Sequence, residues 1–160
     1  MTYEGYCKVV IPEGRSGSVA VERFEVEEDF SLMKMRMEGR GTPVGQYTKL
    51  TRNGSLWMSD TRAEFFDNMR FLRKAKELGG RVLVNGLGLG MVVGHLLECP
   101  EIEHIDVVEI DEDVIRLVAP SFECDRVTVH HGDALDMKWP RAPSGRARGT
   151  TSGSTSVRTT

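Results

Sequence analysis

The sequence has few cysteines and no long apolar run. Its three cysteines, Cys7, Cys99 and Cys124, are odd in number, far apart and without metal-ligand spacing, which excludes a disulfide framework and a cysteine zinc site. We expect free thiols in a reducing cytoplasm. No apolar stretch reaches the ~20 residues that span a bilayer, and the first residues lack the basic-then-apolar pattern of a signal peptide. Membrane insertion and secretion are therefore not expected.

The sequence also has no large excess of basic over acidic residues or the reverse. The chain has 21 Lys and Arg against 24 Asp and Glu, a net charge of −3, which gives no electrostatic basis for binding nucleic acid or a membrane surface. The adjacent His130 and His131 point to opposite faces of a strand, so they do not easily chelate one ion. Neither His95 nor His104 has a Ser, Cys or carboxylate at triad spacing. We predict no metal site and assign no catalytic residue.

The most informative segment covers residues 82–90, which read VLVNGLGLG. A short apolar run leads into three glycines at alternate positions, Gly86, Gly88 and Gly90, and an apolar stretch follows. This order predicts a buried strand, a tight turn and the start of a helix. Glycine removes the side chain where the backbone must lie against a ligand. Taken alone the turn is weak evidence, because glycines can also serve merely to pack a strand on a helix.

Two further apolar runs each end at a carboxylate. The first, at 105–108, leads into Glu109, and the second, at 127–131, is followed by Asp133 after one glycine. Strands that alternate with helices predict a parallel sheet, here half of a nucleoside-binding α/β domain. A carboxylate at the end of the second strand can accept hydrogen bonds from both ribose hydroxyls. Asp133 is placed to accept from an adenine amino group, and Ala134 leaves room for the ring.

Glycine spacing separates two classes of adenosine ligand. A dinucleotide carries a pyrophosphate, which favours Gly-x-Gly-x-x-Gly, whereas this chain has Gly-x-Gly-x-Gly and Gly94 comes too late. S-adenosylmethionine has no phosphate, and its methionine moiety passes over the turn. The glycine spacing therefore favours S-adenosylmethionine as the small-molecule cofactor, and a nicotinamide-dependent enzyme is the least favoured of the functions considered. Glu109 and Asp133 also have interpretations without a ligand, in which Glu109 is a solvated carboxylate and Asp133 forms a turn. Asp111 is predicted to cap a helix.

Residues 1–60 predict a small β-rich element. Methionines alternate with charged residues at 33–38, which is typical of a half-buried strand. Asn53 and Gly54 supply the positive φ angles of a hairpin turn.

Three helices are predicted after this element. In the first, Thr61 and Glu64 have the spacing of a capping box, with Asp60 a competing cap. The second is expected over 90–98 and the third over 113–119.

The composition changes after residue 140. Residues 141–160 contain four arginines, no acidic or aromatic residue and one branched aliphatic, too little apolar surface to offset the entropy of ordering. We therefore predict a disordered tail after a partial Rossmann-like domain at 61–140. Read one base early, the codons of 149–156 could encode an apolar segment where a fourth strand is due. We hypothesise a frameshifted or truncated family member, which sequencing the DNA tests.

Residues from about 52 to 140 resemble the class I S-adenosylmethionine-dependent methyltransferase superfamily, and within it the spermidine synthase-like branch. The matching stretches are RNGSLWM at 52–58, AEFF at 63–66, NGLGLG at 85–90, VVEID at 107–111 and VTVHHGDA at 127–134. The resemblance implies a small β-domain before an α/β Rossmann-like sheet, of which this chain has the first three strands. It also implies an S-adenosylmethionine site at Asn85, Gly86, Gly88, Gly90, Glu109, Ile110, Asp133 and Ala134.

The chain departs from spermidine synthases at the first turn. Those enzymes carry GGGDGG there, and its acid helps hold the amine of the aminopropyl donor, whereas Leu89 takes that position here. Their catalytic Asp follows a fourth strand that this chain lacks. The resemblance therefore favours a methyltransferase-like protein whose acceptor is unknown. An aminopropyltransferase and a non-catalytic fragment are the alternatives, and the open edge of a three-stranded sheet leaves room for a homo-oligomer.

Overall fold

Four antiparallel strands form the first sheet. The computed structural model describes residues 6, 8–27, 41–137, 149–150 and 156–159. The strands are β1 (Gly14–Ser16), β2 (Val19–Val26), β3 (Gly45–Arg52) and β4 (Ser55–Ser59), in that spatial order. The predicted β-rich element is confirmed, while the methionine-rich strand predicted at 33–38 lies outside the described residues.

The hairpin between β3 and β4 forms where Asn53 and Gly54 predict it. Arg52 pairs with Ser55, and the two residues between them have φ angles of 51° and 76°, which are the values that a two-residue hairpin turn requires. The pairing register then shifts, so that Trp57 is the extra residue of a β-bulge on β4. Bulges re-aim side chains, and this one lies next to the site described below.

A second sheet contains three parallel strands joined by helices. The parallel strands are β5 (Gly80–Asn85), β6 (Ile102–Glu109) and β7 (Val127–His131), in the spatial order β7-β6-β5. The helices are α1 (Arg62–Leu78), α2 (Met91–Leu97) and α3 (Glu112–Val118), and a 3₁₀ helix (Ala119–Phe122) follows α3. This is the α/β Rossmann-like arrangement that the sequence predicts.

The predicted tail falls mostly outside the described residues. Its described part forms β8 (Gly149–Thr150) and β9 (Ser156–Thr159), and β9 pairs antiparallel with β5. In the residues that the structure describes, the sheet therefore has five strands, where the sequence predicts three. The physical reason is the open edge of β5, whose unpaired N–H and C=O groups are a template for another strand.

The core lies between the parallel sheet and its helices. Apolar side chains from both sides are almost completely buried, and each contributes roughly 1.5–3 kcal/mol. They include Phe65, Leu72, Val82, Val84, Val93, Leu96, Ile105, Val107, Val114 and Val118. Cys99 is buried beside this core, and its burial raises the pKa of the thiol, whereas Cys124 is exposed. None of the described helices combines the length and the hydropathy of a membrane span.

The start of α1 differs from the predicted capping box. Thr61 is the N-cap residue but its side chain makes no capping hydrogen bond. Asp60 is completely buried and accepts hydrogen bonds from the backbone N–H of Thr48 at 2.7 Å and of Val9 at 3.3 Å. The carboxylate therefore joins the first sheet to the helix start instead of capping the helix, because a buried charge requires polar partners from wherever the fold supplies them.

A polar cluster centres on Asp106 in β6. Its carboxylate accepts hydrogen bonds from His130 and Arg81, each at 2.9 Å, and His104 lies 3.8 Å away. Burial would raise the pKa of Asp106, but the hydrogen bonds from His130 and Arg81 outweigh it and hold that pKa below its ordinary value. The ionised carboxylate therefore stabilises the folded chain.

We expect Asp106→Asn to lower the free energy of unfolding near neutral pH by about 1–2 kcal/mol, since hydrogen bonds to a charged group are lost. Because the folded-state pKa is the lower one, this stabilisation is present above the unfolded-state pKa of about 3.9 and is lost as the pH falls through the folded-state value. Urea unfolding at a series of pH values measures it, with the exposed Asp125→Asn as the control. A difference from wild type that stays constant below both pKa values would contradict this origin.

Candidate functional site

The C-terminal ends of β5, β6 and β7 open into one cavity of about 300 Å³, a size within the range of small-molecule sites. Seven of the eight residues that the sequence predicts for cofactor binding line it. They are Asn85, Gly86, Gly88, Glu109, Ile110, Asp133 and Ala134. Gly90, the eighth, does not line the cavity.

The turn after β5 requires its glycines. Gly86, Gly88 and Gly90 have φ angles of 88°, 51° and 71°, a region that residues with a Cβ rarely adopt. The backbone N–H of Gly86 donates to the carbonyl of Val108 at 2.7 Å, and that of Gly90 donates to the carbonyl of Leu87 at 2.8 Å. These bonds fix the turn against β6 and make it a rigid wall of the cavity.

Gly90 has a packing role of its own. A Cβ at this position would overlap the aromatic ring of Phe122, with even its Cδ2 atom only 3.0 Å away. The ring can approach because no side chain stands there, and it closes the start of α2 against the 3₁₀ helix. Gly90 therefore packs the start of α2 on the 3₁₀ helix.

Glu109 is the buried charged group of the cavity wall. Glu109 is the last residue of β6 and is only 6% exposed. This burial rules out the alternative of a solvated carboxylate. Oε2 accepts from the backbone N–H of Leu87 at 2.7 Å, and Oε1 accepts from that of Asp111 at 2.9 Å. Each carboxylate oxygen has more than one acceptor position, so both oxygens can still accept a hydrogen bond from a ligand in the cavity.

Asp133 forms a turn and also lines the cavity. Its Oδ1 accepts from the backbone N–H of Leu135 at 2.8 Å, which is the turn-forming role. In the described part of the chain, Oδ2 has no hydrogen-bond partner. Because Asp133 lines the cavity, this second oxygen is available to a ligand donor.

Ile110 presents an apolar surface at the cavity edge. The residue is 64% exposed although its side chain is large and hydrophobic, and it lines the cavity together with Glu109 and Ala134. A flat apolar group could cover this surface and remove it from water.

Asp111 caps α3, as predicted. Its Oδ1 accepts from the backbone N–H of Asp113 at 2.9 Å, and Oδ2 forms an ion pair with Arg52 of the hairpin. The guanidinium of Arg52 also lies 4.3 Å from the ring centroid of Trp57. These contacts hold the first sheet against the parallel sheet and keep Trp57 at the cavity.

The first sheet completes the cavity with residues that the sequence interpretation misses. Leu50, Trp57 and Met58 line it from the hairpin, and Asn68 lines it from α1. The sulfur of Met58 accepts from the backbone N–H of Leu89 at 3.1 Å. A sequence signal for Trp57 and Met58 is their place in the stretch 52–58, one of the segments that carry the family resemblance.

The histidines do not line the cavity. His130 bonds to Asp106, while Nε2 of His131 lies 3.2 Å from the carbonyl oxygen of Ile110. In the residues that the structure describes, no three His, Cys, Asp or Glu side chains form a group that could hold a metal ion.

Comparison with known proteins gives partial matches to two kinds of transferase, and no protein-family model matches the chain. Ribosomal RNA small subunit methyltransferase A of Nitrosospira multiformis is 45% identical over 52 residues, 32% of this chain and 19% of that protein. The protein of the same name from Chromobacterium violaceum is 41% identical over 54 residues, 34% and 20% of the two chains.

The second kind is polyamine aminopropyltransferase. The protein of this name from Agathobacter rectalis is 33% identical over 92 residues, 52% of this chain and 32% of that protein. The chain therefore spans no more than 32% of the length of these curated relatives. Over the parts that match, the chain is similar to a ribosomal RNA methyltransferase and to a polyamine aminopropyltransferase.

Proposed function

We propose that the cavity binds the adenosyl group of S-adenosylmethionine and that the chain provides the cofactor-binding part of a methyltransferase-like protein. The observation that carries this proposal is Glu109, a buried carboxylate that is fixed by two backbone N–H groups and lines the cavity between the glycine turn and Asp133. A buried charge is costly unless it is paired, and ribose hydroxyls are donors that suit it.

Each part of the nucleoside has a matching group in the wall. Glu109 accepts from the ribose hydroxyls, Ile110 covers one face of the adenine ring, and Oδ2 of Asp133 accepts from the adenine amino group. Ala134 adds no bulk beside the ring. When bound, the cofactor would supply a sulfonium methyl group, and the chain would hold the cofactor across the glycine turn, beside the apolar residues of the lining. The acceptor and the catalytic residues stay unassigned.

Aminopropyl transfer is the second candidate, because the match to the aminopropyltransferase is the longest of the matches described above. Leu89 argues against it, since this apolar residue is 1% exposed in the wall where spermidine synthases have an acid. An aminopropyltransferase would bind decarboxylated S-adenosylmethionine more tightly than S-adenosylmethionine, whereas a methyltransferase-like site would not.

Calorimetric titration of S-adenosylmethionine into the purified chain tests the proposal. We expect saturable binding at one site per chain, competition by adenosine, and no binding of NAD, whose pyrophosphate does not fit the glycine spacing. A folded chain that binds no adenosine compound would contradict the proposal and favour a non-catalytic fragment.

A further inference from the structure

We propose that Met58 is a specificity-determining residue whose thioether blocks the path of the ligand's tail, so that the cavity accepts adenosine directly and S-adenosylmethionine only after Met58 moves. This inference rests on the proposed function. It concerns a different part of the cavity from the residues assigned to the nucleoside.

The order of the strands sets the order of the ligand. The cavity wall passes from Asp133 after β7 to Glu109 at the end of β6 and then to Gly88 after β5. Neighbouring strands are about 4.8 Å apart, so base, ribose and 5′ substituent lie along successive strand ends. A nucleoside whose base meets Asp133 and whose ribose meets Glu109 therefore directs its 5′ substituent toward Gly88.

Met58 already covers that position. A Cβ on Gly88 would lie only 2.8 Å from Cε of Met58, and closer still to its sulfur. The open face of the glycine, across which a ligand tail would pass, is thus in contact with this side chain. Gly88 accommodates Met58 in the way in which Gly90 accommodates Phe122.

Met58 also uses the donor that a tail needs. The backbone N–H of Leu89 donates to the Met58 sulfur at 3.1 Å, and a thioether is a weak acceptor. A carboxylate in the tail would be a much stronger acceptor for the same N–H group. The exchange is feasible because a methionine side chain is flexible.

The charged residues of the wall lie at the nucleoside end of the cavity and not at the end near Met58. Of the residues that line the cavity, Glu109 and Asp133 are the acids, and both lie at the nucleoside end. Around Met58, the wall includes Leu50, which pairs with Met58 across the sheet, and Leu89, whose N–H contacts the Met58 sulfur. No described acid in this lining, other than those at the nucleoside end, is available to the ammonium group of an amino-acid tail. The tail therefore depends on the Leu89 N–H, which Met58 occupies.

Titration of adenosine and S-adenosylhomocysteine into wild type and Met58→Ala tests the inference. If the displaced state of Met58 has a population of about 10%, its removal tightens S-adenosylhomocysteine binding about tenfold. Adenosine, which has no tail, should keep its affinity within about twofold, because it does not require the displaced state. Leu56→Ala is the matched control, since Leu56 lies on the same strand, is 65% exposed and does not line the cavity.

A readout in the unaltered chain covers the case in which Met58→Ala does not fold. With ¹³C-methyl-labelled methionine, the Met58 methyl resonance, assigned from Met58→Leu, should shift with S-adenosylhomocysteine and not with adenosine. Two results would overturn the Met58 proposal alone. In the first, Met58→Ala binds adenosine and S-adenosylhomocysteine with the same ratio of affinities as wild type. In the second, both ligands shift the Met58 methyl resonance equally. Absence of adenosine binding to both chains would overturn the proposed function, and this inference with it.

Discussion

Replacing Glu109 with glutamine weakens the binding of S-adenosylmethionine by about 10- to 100-fold. The basis is the charge-assisted hydrogen bonds to ribose, which contribute about 1.5–3 kcal/mol when the acceptor is charged, and each 1.4 kcal/mol is a factor of ten in affinity. Glutamine keeps one acceptor oxygen but turns an NH₂ group toward one of the two partners of the carboxylate, the N–H of Leu87 or that of Asp111. Calorimetric titration measures the loss.

Stability must be separated from affinity in this experiment, because Glu109 also holds two backbone N–H groups. Asp106→Asn is the matched control, since it removes another buried carboxylate of β6 that does not line the cavity. We expect it to lower stability and to leave the affinity for S-adenosylmethionine unchanged. Equal losses of affinity in both variants would show that Glu109 acts only through the fold.

Replacing Gly90 with alanine lowers the free energy of unfolding by about 2–4 kcal/mol, a large part of the 5–15 kcal/mol of a typical domain. Alanine at a φ of 71° is strained by about 1 kcal/mol or more. Its Cβ would also overlap the ring of Phe122, and overpacking of this kind costs about 1–3 kcal/mol. Guanidinium unfolding followed by circular dichroism measures the change.

Gly94→Ala is the control for that measurement, because it tests the same helix and the same ring. Gly94 lies inside α2, and a Cβ there would be 3.5 Å from Cε1 of Phe122, an ordinary van der Waals contact. Alanine in a helix interior is favoured over glycine by up to about 1 kcal/mol. We expect a neutral or stabilising effect, and destabilisation of both variants to the same extent would contradict the specific role of Gly90.

Local patterns are the part of the structure that the sequence predicts well. The strand and turn at Gly86 and Gly88, the hairpin at Asn53 and Gly54, and the cap at Asp111 each depend on a few neighbouring residues with special φ angles or a short side-chain reach. Because parallel strands bring their C-terminal ends together, the sequence also predicts that Glu109 and Asp133 meet in one cavity.

Long-range packing is the part that the sequence does not predict. Met58 contacts the glycine turn from 31 positions away, and nothing local to β4 indicates that contact. Asp60 has the spacing of a helix cap, but the fold surrounds it with Thr48 and Val9 instead. Gly88 and Gly90 are equivalent in sequence, and only their neighbours in the structure distinguish a glycine at the cavity from one under Phe122.

A crystal structure of the chain with S-adenosylhomocysteine tests the central claim most directly. We expect the ribose hydroxyls within hydrogen-bond distance of Glu109, the adenine ring against Ile110 with its amino group at Asp133, and the tail at the turn of Gly88 with Met58 displaced. A nucleoside bound elsewhere, or one in this cavity that contacts neither Glu109 nor Asp133, would contradict the claim.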